Sequence, residues 1–307
     1  MSVLNAIGNT SMVQLRRVVP DGCADIFVKL EWENPTGSMK DRMARGAISK
    51  AEETGRLKPG DTVVEYTGGS TGASLALVCS AKNYPIKIVT SDAFSLEKRN
   101  QIRAYGAELT LVPSDNGLST KKLFIDMIET ARVMSQEPNT FWFNQIENPD
   151  TIAGYHGLGE EIWSQASGKV DAFVHGIGTG ASSRGVATVL RQHNPAVKVV
   201  LFEPAESPVL SGGQPGAHMI EGVGIGFQPP LLDRSLIDQF IPVSTADAKD
   251  MARRLAREEG LFAGTSSGAN VIAAIEVARQ LGPGKSVVTL MIDSGLKYLN
   301  TDVYSVA

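Results

Sequence analysis

Short apolar runs rich in β-branched residues alternate along this chain with stretches in which apolar positions recur at helical spacing. Asp25 to Leu30, Thr62 to Glu65, Ile86 to Thr90 and Glu108 to Val112 read as strands, as do Asp171 to Val174, Lys198 to Glu203 and Val287 to Ile292. The runs are nearly continuous rather than alternating, which suits strands buried on both faces of a mostly parallel sheet. Between them, Lys121 to Met134 puts Leu123, Phe124, Met127, Ile128 and Ala131 on one helical face. Ser244 is placed to cap a helix carrying Ala248, Met251, Ala252 and Leu255, with Asp247 in its first turn. Strands alternating with helices predict an α/β fold. No repeat, low-complexity tract or long Pro/Gly/Ser linker interrupts the pattern, so any two lobes are expected to share a broad interface with a cleft between them.

Composition narrows the class. With 307 residues, 42% hydrophobic and 20% charged, the chain has the make-up of a soluble globular protein with room for two lobes. A net charge of -4 and no dense Lys/Arg run argue against nucleic acid or an anionic membrane as partner. Met1 to Thr10 lacks a basic segment followed by an apolar core, so no secretory signal is expected. The apolar runs are too short to span a bilayer. Cys23 and Cys79, outside any paired motif, suit reduced thiols in a cytoplasmic protein. The four histidines are scattered, and no metal site is expected.

The candidate chemistry sits in glycine-rich segments at strand-to-helix junctions. In Asn34-Pro-Thr-Gly-Ser-Met-Lys-Asp-Arg42, Lys40 falls in the first turn of a helix, where the dipole disfavours a cation. A lysine that must work as a neutral amine or imine fits that place, although spacing alone leaves a surface lysine open. Thr67 to Gly72, after the Glu65 strand, would offer amides and hydroxyls to a carboxylate or phosphate, or is simply a tight turn. Gly176 to Gly185 makes a neutral anion cradle, and its Gly-x-Gly start is weak evidence for a dinucleotide. Gly264-Thr-Ser-Ser-Gly268 opens another helix, and Asp293 to Thr301 follows the last strand.

Together these segments resemble the fold-type II pyridoxal-phosphate (PLP) enzymes, within them the cysteine synthase and cystathionine β-synthase group. The resemblance runs from Ile7-Gly-Asn-Thr10 to Thr301 and includes Lys29-Leu-Glu31, Glu97-Lys-Arg99, Tyr105-Gly-Ala-Glu-Leu109, Ser207 to Gly213 and Gly222 to Phe227. It implies a tryptophan synthase β-like architecture, with two open, twisted, mostly parallel sheets and helices on both faces. Residues 1–40 and 146–307 would form the larger PLP-binding domain, and 41–145 a smaller mobile domain carrying the substrate loop. Lys40 looks like the Schiff-base lysine. Gly178, Thr179, Gly180, Ala181 and Ser182 look like the phosphate loop, and Ser266 matches the serine that bonds the pyridine nitrogen. Thr67, Gly68, Gly69, Ser70 and Thr71 match the loop that grips the substrate α-carboxylate.

Some positions depart from the family pattern Thr-Ser-Gly-Asn-Thr-Gly. Gly68 stands for its serine, and Ser70 for the asparagine that reaches the cofactor's 3-hydroxyl. Trp142 is read as standing for a carboxylate-binding glutamine. The resemblance implies β-replacement on an activated serine such as O-acetylserine, by way of an aminoacrylate, with sulfide, a thiol or another nucleophile. Cystathionine synthesis, β-elimination and a catalytically idle partner-binding homologue are the alternatives. A homodimer is expected on the same ground.

Overall fold

The computed structural model describes residues 2–118 and 120–305. Its first part contains β1 (Met12–Gln14), β2 (Asp25–Leu30), α1 (Lys40–Glu53), β3 (Thr62–Tyr66), α2 (Ser70–Lys82), β4 (Ile86–Ser91) and α3 (Leu96–Ala104). There follow β5 (Glu108–Val112), α4 (Lys121–Met134), β6 (Thr140–Trp142), α5 (Asp150–Ala153), α6 (His156–Gln165), β7 (Ala172–Gly176) and α7 (Ala181–His193). The chain ends through β8 (Lys198–Pro204), β9 (Gln239–Val243), α8 (Thr245–Arg254), α9 (Thr265–Leu281) and β10 (Ser286–Met291).

Two sheets result. Six strands run in the order β1-β2-β10-β7-β8-β9 and four in the order β5-β4-β3-β6. Every pairing is parallel except that of β1 with β2. The continuous apolar runs have the expected cause, because each sheet is covered on both faces. In β3, Val63 enters the large core that spans both sheets, while its neighbour Val64 packs with Leu123, Met127 and Ala131 of α4. In β2, Ile26 and Val28 meet α9, and Phe27 turns the other way. Apolar packing continues from Ile88 of the four-stranded sheet to Phe173 and Leu201 of the six-stranded one. The two units therefore share one core, as the lack of a linker suggested.

A buried ionic cluster fixes the start of α1. Arg42 grips both carboxylate oxygens of Glu31 at 2.6 and 2.8 Å, and reaches Glu161 of α6 at 2.7 Å. Lys29 pairs with Glu161 at 2.7 Å. Bidentate geometry of this kind sets orientation as well as energy, and here it locks the helix that begins with Lys40. Next to it, buried Asp41 accepts from the Thr36 hydroxyl and amide and from the Ser74 hydroxyl of α2. Among the described residues, no helix is long and apolar enough to cross a membrane.

Candidate active site

The loops after β3, β7 and β10 leave the C-terminal ends of parallel strands and meet in one cleft, the usual place for ligands in open α/β sheets. The cleft holds about 1080 Å³ of empty space, its solvent mouth included. Lys40, Thr67, Gly68, Gly69, Ser70, Thr71, Gly178, Thr179, Ser182 and Ser266 all line it.

Lys40 is the first residue of α1. Its backbone is tied to the end of β10, where Met39 N–H donates to Ile292 O at 3.0 Å and Ser38 bridges to Asp293. Burial pushes the Lys40 amine down to about 8, with Asp293 opposing and Lys98 assisting the shift. A large fraction is thus neutral near pH 8, as nucleophilic and general-base lysines require.

The Thr67–Thr71 loop turns from β3 into α2 through Gly69, whose φ of 133° only glycine adopts readily. A side chain there would strike Lys98, with Cβ 2.7 Å from its Cδ. Thr71 Oγ1 donates to Gln145 Oε1 at 2.8 Å, and Ser70 Oγ donates to Asp293 Oδ2 at 3.2 Å. The N–H groups of Gly68, Ser70 and Thr71 find no acceptor among the described residues, and such amides at a helix start can receive an anion. Gly68 lies under Phe94, and a Cβ on it would meet that ring at 3.1 Å.

Trp142 does not belong to this loop's surroundings. It pairs with Val64 across the β3–β6 register and shares that residue's face, packing among the residues under α4 and not lining the cleft. The side chain that reaches the cleft from this segment is Gln145. Its amide nitrogen donates to Tyr66 O at 2.7 Å, and its backbone N–H to the buried Glu65 at 3.1 Å. Burial pushes Glu65 up to about 8 against these hydrogen bonds. The expectation that Trp142 reaches the substrate cleft is therefore corrected, since Trp142 lies outside the cleft and Gln145 lines it. The two-residue period of a strand was the signal available for it.

Gly178 to Ser182 opens α7. A Cβ at Gly178 would lie 2.4 Å from Gly222 O, and one at Gly180 2.7 Å from Leu232 N, so both positions need glycine. The N–H groups of Gly178, Thr179, Gly180 and Ser182 have no acceptor among the described residues. Gly180 and Ala181 do not line the cleft, and the Ala181 methyl lies in the core. Any part they take in binding is through backbone. Ser182 Oγ is 2.8 Å from His175 Nε2.

Ser266, second residue of α9, faces the cleft with no hydrogen-bond partner among the described residues. Asp293 contributes a buried carboxylate whose Oδ1 is unpartnered there, while Oδ2 accepts from Tyr298 at 2.9 Å. From α3, Lys98 crosses to Glu221 at 2.6 Å and to the Tyr298 hydroxyl at 3.0 Å. Burial draws its pKa down, but Glu221 and Asp293 raise it more, and Lys98 stays charged. His175, Gln145, Glu221, Asp293, Tyr298 and Lys98 are among the polar cleft residues the sequence did not single out as contacts.

Residues 3–293 match the family described as pyridoxal-phosphate dependent enzyme. The chain belongs to that family. It is 45% identical over 307 residues to a cysteine synthase of Staphylococcus aureus, covering 99% of this chain and 97% of that protein. The crystal structure of cysteine synthase from Entamoeba histolytica superposes with a TM-score of 0.92 at 35% identity, covering 99% of this chain and 90% of that one. An O-ureido-L-serine synthase structure gives 0.90 at 37%, covering 99% and 94%. The α/β architecture with two mostly parallel sheets is that of fold-type II enzymes.

The cleft of this PLP-family chain fits the cofactor on its own evidence. It has free amides at the N-terminus of a 13-residue helix for a phosphate and a half-buried amine depressed toward neutrality for an imine. The Ser266 hydroxyl is left for a ring nitrogen.

Proposed function

We propose that the chain is a PLP-dependent cysteine synthase, replacing the acetate of O-acetylserine by sulfide to give cysteine and free acetate. The observation that carries this reading is that Lys40, its amine near 8, faces the free amides of the Thr67–Thr71 loop across one cleft. The full-length likeness to the Staphylococcus aureus cysteine synthase supports it.

In this reading PLP, when bound, supplies the electron sink for bond breaking at Cα and Cβ. Lys40 holds the cofactor, and its freed amine takes the Cα proton and later returns it. Amides of Gly68, Ser70 and Thr71, with the Thr71–Gln145 pair behind them, fix the α-carboxylate. The Gly178–Ser182 backbone and the Thr179 and Ser182 hydroxyls hold the phosphate. Ser266 gives the pyridine nitrogen a neutral partner, which disfavours the full carbanion development of transamination. Phe94, Phe124 and Phe227 wall the cleft from water.

The reading includes a smaller domain, 41–145, that moves to close over the substrate. Its support is that the substrate loop and Lys98 ride on the four-stranded sheet, whereas the phosphate loop and Ser266 belong to the six-stranded one. A cytoplasmic homodimer completes it, and a monomeric mass in light scattering at micromolar concentration would count against that part. A second reading, condensation with a larger charged thiol, draws on Lys98 and Glu221 as charged groups in the same cleft.

The deciding experiment compares kcat/KM for O-acetylserine with sulfide, with homocysteine, and without a nucleophile. Preference for sulfide supports cysteine synthesis, and preference for homocysteine supports the second reading. Inactivity of a PLP-loaded protein with every donor would leave only an idle homologue.

A further inference from the structure

His175 sits near the end of β7, faces the cleft and takes no part in the chemistry above. It is only 3% exposed. Its Nε2 lies 2.8 Å from Ser182 Oγ, while its Nδ1 is buried with no partner among the described residues. The Phe173 ring packs at 5.8 Å between centroids. Burial chiefly, with the Lys40 charge adding to it, pushes the ring down to about 3, so the imidazole is neutral at any working pH.

A neutral imidazole carries one N–H, and the surroundings choose where. With the proton on Nδ1, a buried donor is wasted, and the Ser182 hydrogen is spent on Nε2. With the proton on Nε2, only a lone pair is left bare, and Ser182 keeps its own O–H for the cleft. Buried unpaired donors are the rarer and costlier defect, so the second arrangement is favoured.

We propose that His175 is a positioning residue whose Nε2–H holds Ser182 Oγ, so that the Ser182 hydroxyl donates to a phosphate oxygen of the cofactor. The inference rests on reading Gly178–Ser182 as the phosphate cradle. Hydrogen bonds arranged head to tail polarise one another, so a neutral pair strengthens its last donor toward an anion.

The test titrates PLP and pyridoxal, which lacks the phosphate, into apo-protein, for parent, His175→Ala, Ser182→Ala and the double variant, read by cofactor fluorescence. Each single change is expected to weaken PLP roughly tenfold, as for loss of a hydrogen bond to a charged group. The double variant should bind no worse than Ser182→Ala, and pyridoxal should bind all four alike. His175→Gln, whose amide can imitate Nε2–H, should recover most of the loss. Nitrogen NMR of the parent holo-protein should place the ring proton on Nε2.

Additive losses, an equal loss for pyridoxal, or a proton on Nδ1 would overturn the role of His175. If Ser182→Ala left PLP binding untouched, its hydroxyl would not be a phosphate donor and the proposal would fall, whereas the cradle reading falls only if Gly178→Ala also leaves PLP binding untouched. The NMR measurement needs no variant, so it decides the matter even if His175→Ala does not fold.

Discussion

The Lys98 ammonium lies 2.6 Å from the Glu221 carboxylate, so a side chain borne by α3 on the four-stranded unit ends on a group in the same cleft as the Gly178–Ser182 loop. Lys98 is almost fully buried, whereas Glu221 keeps 20% of its side chain exposed. Removing one partner of a buried pair costs about 3–5 kcal/mol, and partial exposure of Glu221 puts Lys98→Met at the lower end. The melting temperature of Lys98→Met should fall by several degrees, with a rise in KM for the donor. Adding Glu221→Gln should recover part of the stability. Full additivity in that cycle would show that the two side chains do not work together.

Lys40 sets a pH dependence. Its folded pKa of about 8 lies below its unfolded value of 10.5, so the protonated form favours unfolding. Apo-protein stability should therefore rise between about pH 8 and 10.5, and imine formation with PLP should speed up through pH 8. Lys297 is also pushed down to about 8, chiefly by burial. The share owed to Lys40 is the difference between parent and Lys40→Met in denaturant titrations across that range. Identical pH curves for the two proteins would contradict the depressed amine.

Gly178 has no room for a side chain. Gly178→Ala would place Cβ 2.4 Å from the Gly222 carbonyl oxygen, a backbone atom that cannot swing away. Cofactor retention should drop by about tenfold or more, equivalent to at least 1.4 kcal/mol. Circular dichroism should show the α/β signature intact. Equilibrium dialysis against PLP reads the loss directly, and unchanged retention would mean that the loop backbone does not contact the phosphate.

Gln145 and Trp142 separate cleanly. Gln145→Ala unpairs Thr71 and should raise KM for O-acetylserine about tenfold, the scale of a hydrogen bond serving a charged group. Trp142→Gln should leave KM alone and lower stability by about 1–3 kcal/mol through lost packing against Val64 and its neighbours. Steady-state kinetics with thermal melts on both variants checks this, and the reverse pattern would restore Trp142 to the substrate site.

The interior strands were legible because burial on both faces writes a continuous apolar run. Three of the four edge strands, β1, β6 and β9, are missing from the strands expected from sequence, whereas the fourth, β5, is legible in its Leu109-Thr-Leu-Val112 run. The first two are only three residues long, and β9 carries Gln239 and Pro242. Edge strands bury less and leave a weaker pattern. Lys40, both anion loops and Ser266 lie in glycine-rich turns that stand out locally in the sequence, but the roles expected of them come from the family resemblance and not from the turns. His175 and Glu221 each enter the cleft alone, from segments distant in sequence, and no local spacing announces them, while Gln145 is marked only by the two-residue period continued from β6. Their role emerges only when β3, β7 and β10 deliver their loops to one place.

The contact between Gly68 and the Phe94 ring also constrains how this sequence can change. Restoring the family serine at position 68 crowds the ring at 3.1 Å unless Phe94 has already been replaced by something slimmer. Replacing Phe94 first removes a ring that lines the cleft beside the Thr67–Thr71 loop. The two positions are therefore coupled, because a side chain at 68 requires the Phe94 ring to give by a few tenths of an ångström.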